Sequence, residues 1–352
     1  MRRSFLAGAS LFAFAFPSAL AAQDIDEDEI NSNVIVVTAQ RVEQNIQDVP
    51  ISVTAIGGEA LQTRQIDSFD QLQFIAPGVN FNAGINARQS ATTIRGIGTS
   101  LFNIGIEAST AIVIDGVVMG REGAGIFDFA DVERVEILRG PQGTLFGKNA
   151  SAGVISVITK GPTDTFKAEA NVAYGSFDEL NLFAAVSGPI AGPVTARLSG
   201  YRNTRDGFVR NVNPNAPQER LNDRDEFGFR GKFNLEIAPG TDLLLSGDYV
   251  ERDQASGAST LRSFSPGGPG TGLLGFGVPV TGPASTALGI VPGPQNLEIG
   301  SEAAYLSQMD AWSATAQLTT GIGDHELVSL TSYREWNSLD NNDADLIPQP
   351  LL

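Results

Sequence analysis

The sequence predicts two kinds of structure in tandem. A compact α+β domain, a mixed β-sheet with short helices, occupies residues 48–162, and the first strands (about seven) of a transmembrane antiparallel β-barrel occupy residues 163–352. Three observations predict this. The chain opens with an export signal and then holds no apolar run of about 18 residues, the length a spanning helix needs. Beyond Gly161-Pro162 a mixed pattern gives way to strict two-residue alternation. The connections between those alternating segments are tight at one end and long at the other.

The export signal comes first. Arg2 and Arg3 precede the apolar run Phe5 to Phe16, Pro17 breaks it, and Ala19-Leu20-Ala21-Ala22 follows. Charged, apolar and small-residue parts in that order predict a secretory signal peptide over residues 1–22. The Arg pair also brushes against a twin-arginine signal, but nothing points to a cofactor folded in before export, so the general secretory route is preferred. Residues 23–47 form a leader in which five of the six residues Asp24 to Glu29 are acidic, a run expected to be solvated and mobile.

Composition removes several function classes. A formal net charge of −17 argues against binding a nucleic-acid backbone. With no cysteine and a single histidine, thiolate sites, multi-histidine metal sites and disulfides are excluded; no metal and no cofactor is expected.

In the first domain, Ile51 to Ile56 reads as a strand and Gly58 to Gln65 as a short helix. Ser68 is placed to cap a second helix, which Pro77-Gly78 ends. Strands follow at Thr92 to Arg95, Ala111 to Asp115, Val132 to Leu138 and Val154 to Thr159, separated by Gly or Asp-Gly turns.

In the second region, Ala168, Ala170, Val172 and Tyr174 share a face opposite Lys167, Glu169 and Asn171. Phe227, Phe229, Phe233, Leu235 and Ile237 likewise oppose Arg230, Lys232, Asn234 and Glu236, and 194–201 and 312–319 repeat the theme. Alternation alone also suits a sandwich with one wet face. Loop lengths separate the two: GPIAGP, APGT and GIGD are tight, whereas 203–225 and 251–310 are long, the asymmetry of outer-membrane barrels. The segment 326–334 alternates poorly. About seven strands cannot close such a barrel, so the chain is expected to be the N-terminal part of a longer protein.

The stretch RGPQGTLFGKNASAG (Arg139 to Gly153) invites a phosphate-loop reading and fails it twice. Gln142 stands where the first glycine should be, and Asn149 replaces the magnesium-binding hydroxyl. Arg95-Gly96-Ile97-Gly98 fails as a dinucleotide fingerprint because Leu101 occupies the third glycine position. Ser151 lacks a G-x-S-x-G frame, and the lone His325 falls on a barrel turn, so no catalytic residue is assigned.

What remains resembles one family. VERVEILRGPQGTLFGKNASAGVISVITKGP (Val132 to Pro162) is similar to the plug signature of TonB-dependent outer-membrane receptors. VIVVTAQRVEQNIQDVPISVTAI (Val34 to Ile56) resembles their energy-coupling box and plug entry, and TTIRGIG (Thr92 to Gly98) and VIDGV (within Ile112 to Val118) follow the same plug in order. The resemblance implies a plug inside a barrel of about 22 strands. It implies a TonB box at Val34, Ile35, Val36, Val37, Thr38 and Ala39, able to add as a strand to a periplasmic TonB-type partner; an ordinary plug strand is the alternative. The structural signature falls on Arg95, Gly96, Asp115, Gly116, Glu133, Arg134, Glu136, Arg139, Gly140, Pro141, Gly143, Gly147, Asn149 and Gly153.

Arg95, Glu133, Arg134, Glu136 and Arg139 are expected to make plug-to-barrel or internal ion pairs, and Lys148 to meet a carboxylate. Gly143 and Gly147 are expected to allow close backbone approach. Outward plug loops at 86–89, 100–106 and 119–123 would offer Arg88, Phe102, Asn103 and Arg121 to a solute. The implied location is the outer membrane, in contact with its lipid. The implied function is energy-coupled uptake of a scarce solute, ferric siderophore first, with oligosaccharide, haem or vitamin B12 as alternatives. A passive porin or adhesin barrel and a secreted sandwich enzyme are the readings from other classes.

Overall fold

The computed structural model describes residues 36–38, 41–42, 44–82, 90–99, 107–121, 123, 129, 131–262 and 288–342. The expected signal peptide and acidic run lie outside these residues. Strands β1 (Val36–Val37) and β2 (Gln44–Asn45) pair as a small antiparallel ladder. Strand β3 (Ser52–Gly57) runs into helix α1 (Gly58–Thr63), and a 3-10 turn covers Phe69–Phe74. The helix stops two residues short of the expected Gln65, which takes φ 55°, outside helical space. Ser68 heads the 3-10 turn without a side-chain cap bond, so the expected second helix is a tighter, shorter element.

Strands β4 (Val79–Asn82) and β5 (Ala91–Ile94) form a separate ladder. Then come β6 (Thr110–Ile114), β7 (Val117–Val118), β8 (Val132–Arg139), helix α2 (Gly143–Phe146) and β9 (Gly153–Thr159). The main sheet has the order β3-β8-β9-β6-β7, with β6 and β9 parallel and the other pairs antiparallel. Its central strands are buried on both faces, which is why β6 reads as the continuous apolar run TAIVI rather than alternating. Ile112, Ile137 and Ile155 pack against Leu61, Phe69 and Leu72 on one face, and Val113, Leu138 and Val154 against Phe146 and Val37 on the other.

The barrel wall follows: β10 (Lys167–Gly175), β11 (Glu179–Ala191), β12 (Val194–Arg205), β13 (Val209–Asn211), β14 (Arg220–Leu221), β15 (Arg224–Ala238), β16 (Thr241–Gln254), β17 (Glu298–Ile299), β18 (Leu306–Ile322) and β19 (His325–Asn341). Seven of these make one antiparallel meander, β10-β11-β12-β15-β16-β18-β19. Its tight turns are set by Gly192, Gly240 and Gly323, at φ 53°, 74° and 63°. The long connections carry their own small sheet, β14-β13-β17, over a core of Val209, Leu221, Ile299 and Tyr305.

The two faces of the meander differ as the alternation requires. Val172, Phe229, Leu245, Trp312 and Tyr333 lie exposed on the outer face, with Val172 71% exposed, and Trp312 and Tyr333 rings pair at 5.2 Å. Glu169, Arg197, Lys232 and Asp248 take the inner face, as their mutual and plug contacts show. Val250, Met309 and Ala311 from this inner face join the core of the first domain, so that domain is seated against the wall. Among the described residues no helix is long and apolar enough to cross a membrane.

Candidate functional site

The segment expected to couple, of which residues 36–38 are described, comes first. Val37 is fully buried in the plug's second core, while Val36 is 41% exposed. The Thr38 backbone N–H donates to Glu136 Oε1 at 2.8 Å, and its hydroxyl does so at 3.2 Å. Arg134 Nε donates to the same oxygen at 2.8 Å. Residues 36–38 are thus docked on the plug by one wholly buried carboxylate. Val34, Ile35 and Ala39 lie outside the described residues.

The glycine-rich stretch has three local jobs. Gly140 and Gly147 take φ 94° and 84°, and Gly147 ends the single turn of α2. Gly153 provides the close approach: a Cβ there would stand 2.4 Å from the Leu138 carbonyl oxygen and 2.7 Å from Ile94 Cδ1. This corrects the expectation for Gly143 and Gly147, which have nothing within 4 Å of such an atom. The turn of α2 carries them away from the packed sheet. Lys148 pairs with Glu107, and the half-buried Asn149 and exposed Pro141 complete the loop.

Two hairpin turns hold the remaining signature residues. Asp115 and Gly116, at φ 46° and 81°, join β6 to β7. Arg95 and Gly96, at φ 53° and 75°, turn the chain between Ile94 and Ile97. Arg134 pairs with Glu133 at 2.5 Å and with Glu136 at 2.8 Å, both within the plug. Arg95 and Arg139 depart from the ion-pair expectation. Arg139 donates to Thr54 Oγ1 at 2.7 Å and to the Pro77 carbonyl at 3.2 Å, and Arg95 to Ser52 Oγ at 3.3 Å. Burial, and then the neighbouring Arg95 charge, hold the Arg139 pKa below its ordinary value.

The charges that tie plug to wall are others. Arg197 of β12 grips Asp131 with Nη2 at 2.5 Å and Nε at 3.0 Å, and Ser199 donates to the second Asp131 oxygen at 2.6 Å. Lys160 meets Glu169 at 2.6 Å. Lys232 of β15 lies 3.0 Å from Asp115, whose carboxylate also accepts from the Thr159 N–H at 2.8 Å and hydroxyl at 2.6 Å. Asp131, Lys160 and Arg197 were not singled out from sequence. For Arg197, as for Glu169, the available signal was a position on the polar side of an alternating strand, where a buried charge needs a partner. Asp131 and Lys160 lie just outside plug strands, where no such pattern marks them.

Of the solute-facing candidates, Arg121 is exposed, whereas Met119 of the same loop is buried in the plug core. Arg88, Phe102 and Asn103 lie outside the described residues. Among the described residues no group of three or more acidic, His or Cys side chains is arranged to hold a metal ion.

A family model described as TonB-dependent Receptor Plug Domain matches residues 45–154. The pesticin receptor of Yersinia pestis is 27% identical over 236 residues, which cover 65% of this chain and 33% of that receptor. The vitamin B12 transporter BtuB of Photobacterium profundum is 26% identical over 230 residues, covering 64% and 35%. The chain spans about a third of the length of these curated relatives. The crystal structure of the ferric yersiniabactin uptake receptor FyuA from Yersinia pestis shares the fold at TM-score 0.66 and 19% identity, covering 83% of this chain and 42% of that one. These relatives are receptors and transporters rather than enzymes. Residues 45–154 thus match the plug domain of TonB-dependent receptors, and the plug sheet seated on the polar face of a barrel wall is a fold shared with a solved receptor of the outer-membrane uptake type.

Proposed function

We propose that the full-length receptor imports a ferric siderophore, drawing energy from a periplasmic TonB-type partner. The observation that carries this reading is how the plug is held. Beside the apolar contact of Val250, Met309 and Ala311, its ties to the wall include the charge pairs Asp131–Arg197, Asp115–Lys232 and Lys160–Glu169. Such pairs can be exchanged for water when the plug is pulled, whereas a large apolar interface would have to expose its whole area at once. The short β1–β2 ladder has no third strand among the described residues, which suits addition of a partner strand along Val36-Val37. The name of the ferric yersiniabactin uptake receptor favours an iron chelate. Vitamin B12 is the second reading, favoured by the BtuB relative.

Replacing Val36 with Pro removes a backbone donor from the ladder. Energised uptake by the full-length receptor should then fail while receptor levels in the outer membrane stay normal. Uptake that survives this change, or that persists without an energised inner membrane, sinks the coupling assignment and favours a passive barrel. Growth on ferric siderophores as sole iron source, against cobalamin-dependent growth, with and without the gene, separates the two solutes.

A further inference from the structure

A cavity of about 480 Å³ opens between the plug and the first three barrel strands. The plug contributes Gln65, Asp67 and Gln71, and the wall contributes Asn171, Glu179 and Asn181. Two carboxylates and several amides line it, and no Lys, Arg or His does so among the described residues. Two oxygens of the lining residues, Asp67 Oδ1 on the plug and Asn181 Oδ1 on the wall, have no hydrogen-bond donor. The Asn181 amide nitrogen is directed to Glu179 Oε1 at 3.4 Å, which leaves its oxygen unmet. Arg224 stands 3.9 Å from the other Asp67 carboxylate oxygen. The terminal torsions of Asp and Asn are broad, so turning either oxygen toward the cavity costs little. Gln65, on the plug side of the cavity, is held at φ 55°, a conformation that non-glycine residues rarely adopt. Burial first, and the Glu179 and Asp70 charges after it, outweigh Arg224 and raise the Asp67 pKa.

We propose that this cavity holds an ammonium group of the imported solute, so that the receptor favours iron chelates carrying a free amine over polyanionic ones. The assignment rests on the siderophore reading above. Its chemistry is direct: an ammonium supplies N–H donors to oxygens that lack them and a second positive charge beside Asp67, which Arg224 meets only at 3.9 Å.

The test compares three probes on the full-length receptor in outer membranes. The first is ferrioxamine B, a ferric trihydroxamate with a free ammonium tail; the second is its N-acetylated form; the third is a ferric tricatecholate trianion. The intact receptor should bind the ammonium form about tenfold or more tightly than the acetylated form, the effect of one charge-assisted contact. Asp67→Asn and Glu179→Gln should each bring that ratio toward unity with little change in binding of the acetylated probe. Equal binding of the two hydroxamates, or variants that weaken both alike, overturns the assignment. Import of the tricatecholate alone overturns it while leaving the siderophore reading in place. Import of none of the three by an energised, well-expressed receptor overturns both.

Discussion

Lys232, on the inner face of β15, places its ammonium 3.0 Å from the Asp115 carboxylate and 3.1 Å from the Thr159 carbonyl oxygen. Burial pushes the Asp115 pKa up, but Lys232, Arg230 and the two Thr159 hydrogen bonds together bring it below the ordinary 3.8. A carboxyl depressed in the folded state contributes stability above its unfolded pKa and loses it as pH falls through the folded value. The full-length receptor should therefore hold a constant share of plug stability from neutral pH to 3.8 and lose it below. Lys232→Met should lower the urea midpoint at neutral pH, by about 3 kcal/mol in stability, because the carboxylate keeps only its Thr159 donors. It should also flatten the acid dependence. An unchanged acid limb would show that Asp115 is not the group responsible.

The glycines of Arg139 to Gly153 allow a sharper comparison. Gly153→Ala forces a methyl onto the Leu138 carbonyl at 2.4 Å and onto Ile94 at 2.7 Å, at φ 155°. Backbone cannot retreat inside a five-stranded sheet, so a loss of several kcal/mol or failure to fold is expected. Gly143→Ala meets nothing within 4 Å and opens a helical turn, where alanine should be neutral or stabilise by up to about 1 kcal/mol. Denaturant midpoints of the two full-length variants check the contrast. Equal midpoints would contradict the packing at Gly153.

These cases mark how far the fold and site were legible in the sequence. Alternation placed Lys232 on the polar side of its strand, because a period of two leaves only two choices. Its partner Asp115 comes from a distant turn, and no local pattern encodes that meeting. The glycine stretch announced a constrained loop, but which glycine is constrained depends on Ile94, which belongs to another ladder. The strand at 325–341 alternates weakly and yet pairs along its whole length with β18, since the tight Gly323-Asp324 turn and the ladder set its register. Helix α2 was invisible because four residues hold too little periodicity to read.

The contact between Glu136 and Thr38 predicts how residues 36–38 are retained on the plug. Glu136 is fully buried and serves the Thr38 N–H, the Thr38 hydroxyl and Arg134 through one oxygen. Glu136→Ala leaves Arg134 and the Thr38 N–H without this acceptor, so residues 36–38 should open more often. Amide exchange at Thr38 should quicken about tenfold or more, the effect of losing one or two charge-assisted bonds. The central strands β9 and β6 should keep their protection. Faster exchange throughout the plug would mean that Glu136 holds the whole sheet rather than the strand.

The outer face offers a test of the membrane assignment that leaves the plug untouched. Leu245 lies mid-strand on β16, paired with Phe233 and Ala316 on its two sides, and 45% of it is exposed. If that face meets hydrocarbon, Leu245→Arg should destabilise the full-length protein by about 2–4 kcal/mol in lipid vesicles. The neighbouring Ser246 pairs with Lys232 and Thr315 on the opposite, polar face. Ser246→Asn there should cost under about 1 kcal/mol, since water and polar neighbours can satisfy the amide. A soluble two-sheet protein would reverse the order, tolerating arginine on an exposed face and suffering more from a larger side chain on the packed one. Urea titrations of both variants, read by heat-modifiable gel migration, distinguish the two outcomes.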